Sequence, residues 1–188
     1  MFILHRSSLG MVRLRDQLTF LAILGFPATA AHAQAAEPEL RAAIVGGLDR
    51  TDSAPGSGAR DGFYYAIQLG ADWNLGALTA GVEGELADST ARDGSLPGQP
   101  RQSTFANVTL RLAVPISDGT RAFVRGGYAY HRIENASIGD FDGHGYVIGG
   151  GGETDLSDRL FLRAEYRYSD YGSEVRGQQF LGGIGLRF

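Results

Sequence analysis

Apolar and polar positions alternate with period two through much of residues 34–188, and no window there keeps a 3.6-residue apolar period. In Phe63-Tyr-Tyr-Ala-Ile-Gln-Leu-Gly-Ala-Asp-Trp73 the apolar set is Phe63, Tyr65, Ile67, Leu69, Ala71 and Trp73, with Gln68, Gly70 and Asp72 between them. The same rhythm runs through Leu78–Leu86, Ala106–Val114, Phe123–Tyr130, Tyr146–Glu153, Leu160–Tyr168 and Gln179–Phe188. With a weaker opening run, Ala42–Leu48, the pattern predicts eight strands, and roughly ten residues is what a tilted strand needs to cross a bilayer.

The connections alternate in length. Asn74–Gly76, Pro115–Thr120 and Thr154–Arg159 read as short polar turns. Between them lie longer stretches rich in Gly, Ser, Asp and Pro: Thr51–Gly62, Asp88–Ser103, His131–Gly143 and Ser169–Gly177. Long loops at one end, short turns and both termini at the other, predict an all-β, eight-stranded antiparallel up-and-down transmembrane β-barrel. A hairpin-sized echo supports this: Phe123-Val-Arg-Gly-Gly-Tyr-Ala-Tyr130 and Phe161-Leu-Arg-Ala-Glu-Tyr-Arg-Tyr168 share Phe-aliphatic-Arg-x-x-Tyr-x-Tyr.

Which face is apolar decides the solvent. The polar face carries Asp72, Glu83, Glu85, Arg111, Arg125, Glu153, Arg163, Glu165, Arg167 and Arg187. Aromatic residues gather at strand ends: Phe63, Tyr65, Tyr130, Tyr146, Tyr168 and Phe180 toward the long loops, Trp73 and Phe188 toward the short turns. That is the girdle of a lipid-facing barrel. The apolar face is also rich in Gly and Ala, too little volume to fill a lumen. The expectation is therefore apolar-out. Glu83, Glu85, Arg111, Arg125, Glu153, Arg163, Glu165 and Arg167 then form an interior ion-pair network that plugs an eight-stranded lumen.

Composition sharpens this. The chain has 188 residues, 28 of them Gly, and no Cys, so a disulfide framework and thiolate metal sites are excluded. Every base is Arg, and the net charge of −4 argues against a nucleic-acid partner. Arg13 and Arg15 precede the apolar run Leu18–Phe26, which ends in Ala31-His32-Ala33, the pattern of a secretory signal peptide over residues 1–33. Counted from Met11 instead of Met1, that peptide has an ordinary length. Residues 34–188 then form the barrel, with 14 Arg against 20 acids.

Two stretches, Arg163-Ala-Glu-Tyr-Arg-Tyr-Ser-Asp-Tyr-Gly172 and the closing Gly182-Gly-Ile-Gly-Leu-Arg-Phe188, resemble those of the small outer-membrane barrels of Gram-negative bacteria, the opacity-type and OmpA-like "porin family" surface proteins. The resemblance implies a cell outer-membrane location and passage by periplasmic chaperones to the outer-membrane assembly machinery. It makes Gly183, Leu186 and Phe188 the assembly signal, with Leu181 standing where that signal usually has a polar residue. It further implies a monomer in outer-membrane lipid and no cofactor; because the sequence stops at the closing strand, the peptidoglycan-binding domain of the two-domain relatives is not expected. The role implied is structural or surface-interacting, carried by the extracellular loops.

Two other classes compete. A lipid A-modifying enzyme needs a nucleophile within hydrogen-bond reach of a base. His131 with Glu134 and Ser137, and His144 with Asp140 and Asp142, are the sets available, with His131 and Ser137 expected on a loop among ordinary polar residues. No catalytic residue is assigned. A soluble periplasmic barrel around an apolar ligand would turn the apolar face inward. Asp140-Phe-Asp-Gly-His144 lacks the spacing of a calcium loop, and Gly149–Gly152 has no following helix to make a phosphate cradle. The acids of the long loops (Asp52, Asp61, Asp88, Asp93, Glu134, Asp140, Asp142, Asp170, Glu174) read first as a hydrated surface.

Overall fold

The computed structural model describes residues 37–52, 59–90, 102–134, 141–172 and 176–188. The chain divides into two compact units, Met1–Ala35 and Ala36–Phe188. The expected signal peptide, residues 1–33, lies outside the described residues, as do Asp93, Ser137, Asp140 and Glu174.

The second unit is a closed antiparallel barrel of eight strands, each bonded to its neighbours in sequence and the last to the first. They are β1 (Glu39–Asp52), β2 (Ala59–Asn74), β3 (Thr79–Ser89), β4 (Gln102–Ser117), β5 (Thr120–Glu134), β6 (Phe141–Asp155), β7 (Leu160–Asp170) and β8 (Arg176–Arg187). Period two sorts each strand into a lumen face and an outer face. On β7, Phe161, Arg163, Glu165, Arg167 and Ser169 are buried while Leu162 and Tyr166 are exposed.

The register fixes the bore. One line of paired residues runs Glu39, Asp72, Gly81, Arg111, Arg125, Gly149, Arg167, Gln179 and returns to β1 at Asp49, ten residues above its start. Eight strands offset by ten, with ordinary strand spacing and rise, tilt by about 40° and enclose a backbone radius of about 8 Å. Such a lumen holds side chains and little else.

Several strands run further than their alternation shows. The opening strand, expected over Ala42–Leu48, spans Glu39–Asp52. Both described ends of the expected loop His131–Gly143 are ladder: His131 pairs with Gly143, Arg132 with Asp142 and Ile133 with Phe141. Backbone bonding continues beyond the apolar band because it needs no apolar face. The expected turn Pro115–Thr120 contracts to Asp118-Gly119, with Gly119 at φ 69°, because β4 continues through a register shift between Pro115 and Ser117. Proline costs a ladder bond, and a bulge at a strand end is where that loss is cheapest.

Candidate functional site

The outer face is apolar: Leu110 is 69% exposed and Ile44 61%, while Arg111 and Arg167 on the lumen face are 1% exposed. A soluble barrel around an apolar ligand would need the opposite arrangement. Phe63, Tyr65, Tyr146 and Phe180 are exposed on the outer face, and Tyr130, Tyr168 and Trp73 are half-buried there. Tyr128 and Tyr166, which the strand-end argument passed over, also stand exposed on it. Tyr166 packs against Phe180 with ring centroids 4.8 Å apart, and the Tyr65 hydroxyl donates to Asp88 at 2.8 Å.

The lumen is built around four glutamates. Glu83 of β3 receives Arg41, Arg125 and Arg163, the last at 2.7 Å. Glu85, one inward position along, receives Arg167 at 2.6 and 2.8 Å, the Tyr64 hydroxyl at 2.6 Å, and the amides of Gln68 and Asn107 at 2.7 Å. Glu153 of β6 takes Arg41 at 2.9 Å, Arg111 at 2.6 Å and Arg187 at 3.2 Å. Glu165 lies between Arg163 at 2.9 Å and Arg167 at 3.0 Å. Asp72 adds a 2.8 Å pair with Arg111. At the short-turn end, Arg121 reaches Glu39 at 3.7 Å and Asp155 at 3.8 Å, and Arg187 reaches the same two acids.

All eight residues expected in the interior network are therefore in one connected cluster; Asp72 and Arg187 of the same polar face join it, and the structure adds Arg41, Glu39, Arg121 and Asp155, which alternation did not flag. Arg41, just before the expected opening strand, touches Asp72, Glu83 and Glu153. With Arg121, Arg187, Glu39, Asp72 and Asp155, seven arginines face seven acids among the described residues. Within this set the formal charge is zero.

The shared Phe-x-Arg of the sequence echo also acquires a reason. Phe123 and Phe161 sit inward below their arginines, and each ring carries guanidinium from a neighbouring part of the wall. Arg163 lies 4.3 Å and Arg111 4.8 Å from the Phe123 centroid, and Arg187 4.3 Å from that of Phe161. Such stacking stabilises a desolvated cation.

Above the ions, toward the long loops, the lumen turns aromatic. His131 is on β5, correcting its expected place in a loop, and its buried ring lies 4.9 Å from Tyr171 and 6.2 Å from Phe105. Its imidazole occupies the space above Gly143, where a Cβ would come within 2.0 Å of it. Burial pushes the Tyr171 hydroxyl, just beyond β7, up to about 12. His144 is likewise on a strand, exposed on the outer face and stacked 6.2 Å from Tyr128. The two histidines thus lie on opposite faces of the wall.

At the seam, Gly183 faces inward and a Cβ there would come within 2.5 Å of the Ile44 carbonyl oxygen and of Val45. Leu186 and Phe188 point outward, and the Phe188 amide donates to the Leu40 carbonyl at 2.9 Å. Among the described residues no group of His, Cys, Asp and Glu is arranged to hold a metal ion.

Comparison with known proteins gives a consistent answer. The family model described as "Outer membrane protein beta-barrel domain" matches residues 19–188. The 25 kDa outer-membrane immunogenic protein of Brucella ovis is 27% identical over 130 residues, 62% of this chain; the match spans 64% of that relative's length. Among solved structures, the attachment invasion locus protein Ail of Yersinia pestis superposes with a TM-score of 0.59 at 18% identity, covering 81% of this chain and all of that one. Neisserial surface protein A gives 0.59 at 12% identity, covering 79% and 97%. At these identities the two structures speak for the fold alone.

Proposed function

Since the chain belongs to the outer-membrane protein β-barrel family and its place is the outer membrane, we propose that it is a sealed, non-enzymatic barrel that acts through what it presents outside. Its work is structural or surface-interacting. The wall anchors four connections at the cell surface, and the lumen conducts nothing. The observation that supports this is the charge-neutral cluster of seven arginines and seven acids that fills a barrel of about 8 Å backbone radius. Opening a water path there would mean separating buried ion pairs, at about 3–5 kcal/mol for each partner lost.

The aromatic residues of the outer face are read as the interfacial girdle, and Gly183, Leu186 and Phe188 as the signal read by the assembly machinery after delivery by periplasmic chaperones. The barrel is read as a monomer. The experiment is electrical. Purified protein in planar bilayers should show no steady conductance; a stable open channel of porin size would refute the sealed lumen. For the enzyme alternative, lipid A is assayed with and without His131→Ala and His144→Ala; a deacylation that needs either histidine would replace this reading.

A further inference from the structure

One buried acid stands outside the neutral cluster. Asp49, on the lumen face of β1 near the long loops, is 3% exposed, yet has no ion-pair partner among the described residues. By contrast Asp72, Glu83, Glu85, Glu153 and Glu165 each touch at least one guanidinium. The groups on Asp49 are all neutral. The Ser89 hydroxyl donates to Oδ2, the Gln179 Nε2 donates to Oδ1 at 3.0 Å, and the Thr51 hydroxyl lies 3.5 Å from Oδ2. Because the fourteen charges below already cancel, Asp49 is a surplus negative charge within a low-dielectric wall.

A second observation concerns the same spot. Gln179 is also 3% exposed, and its Oε1 accepts no hydrogen bond although the amide carrying it rests on the Asp49 carboxylate. Two hydroxyls and an amide nitrogen therefore meet the Asp49 carboxylate from β1, β3 and β8, and the oxygen of that amide is left without a partner. The oxygens of these groups are hard donors, on side chains that can turn: the amide can present Oε1, and each hydroxyl can present a lone pair.

We propose that Asp49, Gln179, Ser89 and Thr51 form a cation site in the loop-side half of the lumen, and that calcium is the ion it takes. Oxygen donors of mixed kind and adjustable reach suit calcium, whereas magnesium demands a near-ideal octahedron and holds its waters. With a single formal charge in the site, binding is weak, in the range of extracellular modules. The ion cancels the surplus charge and ties β1 to β3 and β8 near the mouth.

The test uses the whole folded barrel in detergent, stripped with chelator and dialysed against radioactive calcium. Wild type should bind one ion more per barrel than Asp49→Asn, or bind it at least about tenfold more tightly, and Gln179→Leu should weaken the same site. Calcium should also raise the temperature at which the wild-type barrel loses its folded gel mobility, and should do so less in both variants. Equal binding by wild type and both variants would assign the calcium to the loop acids and overturn the proposal. If Asp49→Asn stabilises the barrel and calcium moves neither melting point, the carboxylate is satisfied by a proton and the proposal fails. Should Asp49→Asn not fold, the Gln179→Leu comparison alone decides in the same way.

Discussion

Glu83 shows what a single lumen residue carries. Three guanidiniums, of Arg41, Arg125 and Arg163, converge on its carboxylate from three other strands. Glu83→Ala leaves them facing one another, and the expected loss is about 3–5 kcal/mol, read as a lower urea midpoint for unfolding from lipid vesicles. An unchanged midpoint would mean the cluster is slack. Tyr171 gives a pH dependence with a defined sign. Its hydroxyl is pushed from 10.0 to about 12 by burial, so the folded barrel holds that proton more tightly than the unfolded chain. Its contribution is complete below pH 10 and is lost as pH rises toward 12, about 2–3 kcal/mol across that window. Tyr171→Phe should flatten that part of the alkaline limb in urea titrations run between those pH values; an identical slope in both proteins would exclude Tyr171 as its source.

At the scale of the strand, glycine decides where the wall can bend. A Cβ on Gly47 would lie 1.9 Å from the Phe180 carbonyl oxygen on the neighbouring strand, whereas one on Gly84, on the outer face, would meet nothing within 4 Å. Gly47→Ala should therefore cost more than about 2 kcal/mol and Gly84→Ala less than about 0.5 kcal/mol, compared by urea midpoint; similar costs would show that the wall relaxes around Gly47. The outer face makes its own prediction. Leu110→Arg on β4 should destabilise the barrel by about 2–4 kcal/mol in lipid vesicles, and a negligible change would place that position outside the hydrocarbon. Alternation was enough to read the strands and to separate Leu110 from Arg111. It could not reach Arg41 or Asp49, because Ala42, Gly46 and Gly47 blur the opening strand and both residues lie beyond its legible part. Nor did it end β4 correctly: Pro115 is a breaker by composition, and only pairing with β5 shows the ladder carrying past it.

The whole molecule adds what no single strand contains. That Glu83 meets Arg163, 80 positions away, follows from eight strands closing with an offset of ten, a property of the ring. The charged face could be read along the chain, but its partners could not, since a different offset would bring other arginines opposite the same glutamate. The aromatic cap of Tyr64, Phe105, His131 and Tyr171 stayed hidden for a related reason. Its members come from four different parts of the wall and share only a height. The apolar exterior, in contrast, is a local property repeated on every strand, so the lipid-facing reading needed no partner information.

The return of the ladder to β1 ten residues higher has a mechanical corollary. Girth in a closed lattice of this kind is counted in whole steps, so the cylinder has no soft mode by which it could widen a little. Slipping any seam by a single residue would turn an entire strand inside out, carrying arginines into the acyl chains. Any traffic through such a tube must come from side chains stepping aside within a rigid casing, and its signature would be brief, discrete openings of constant bore.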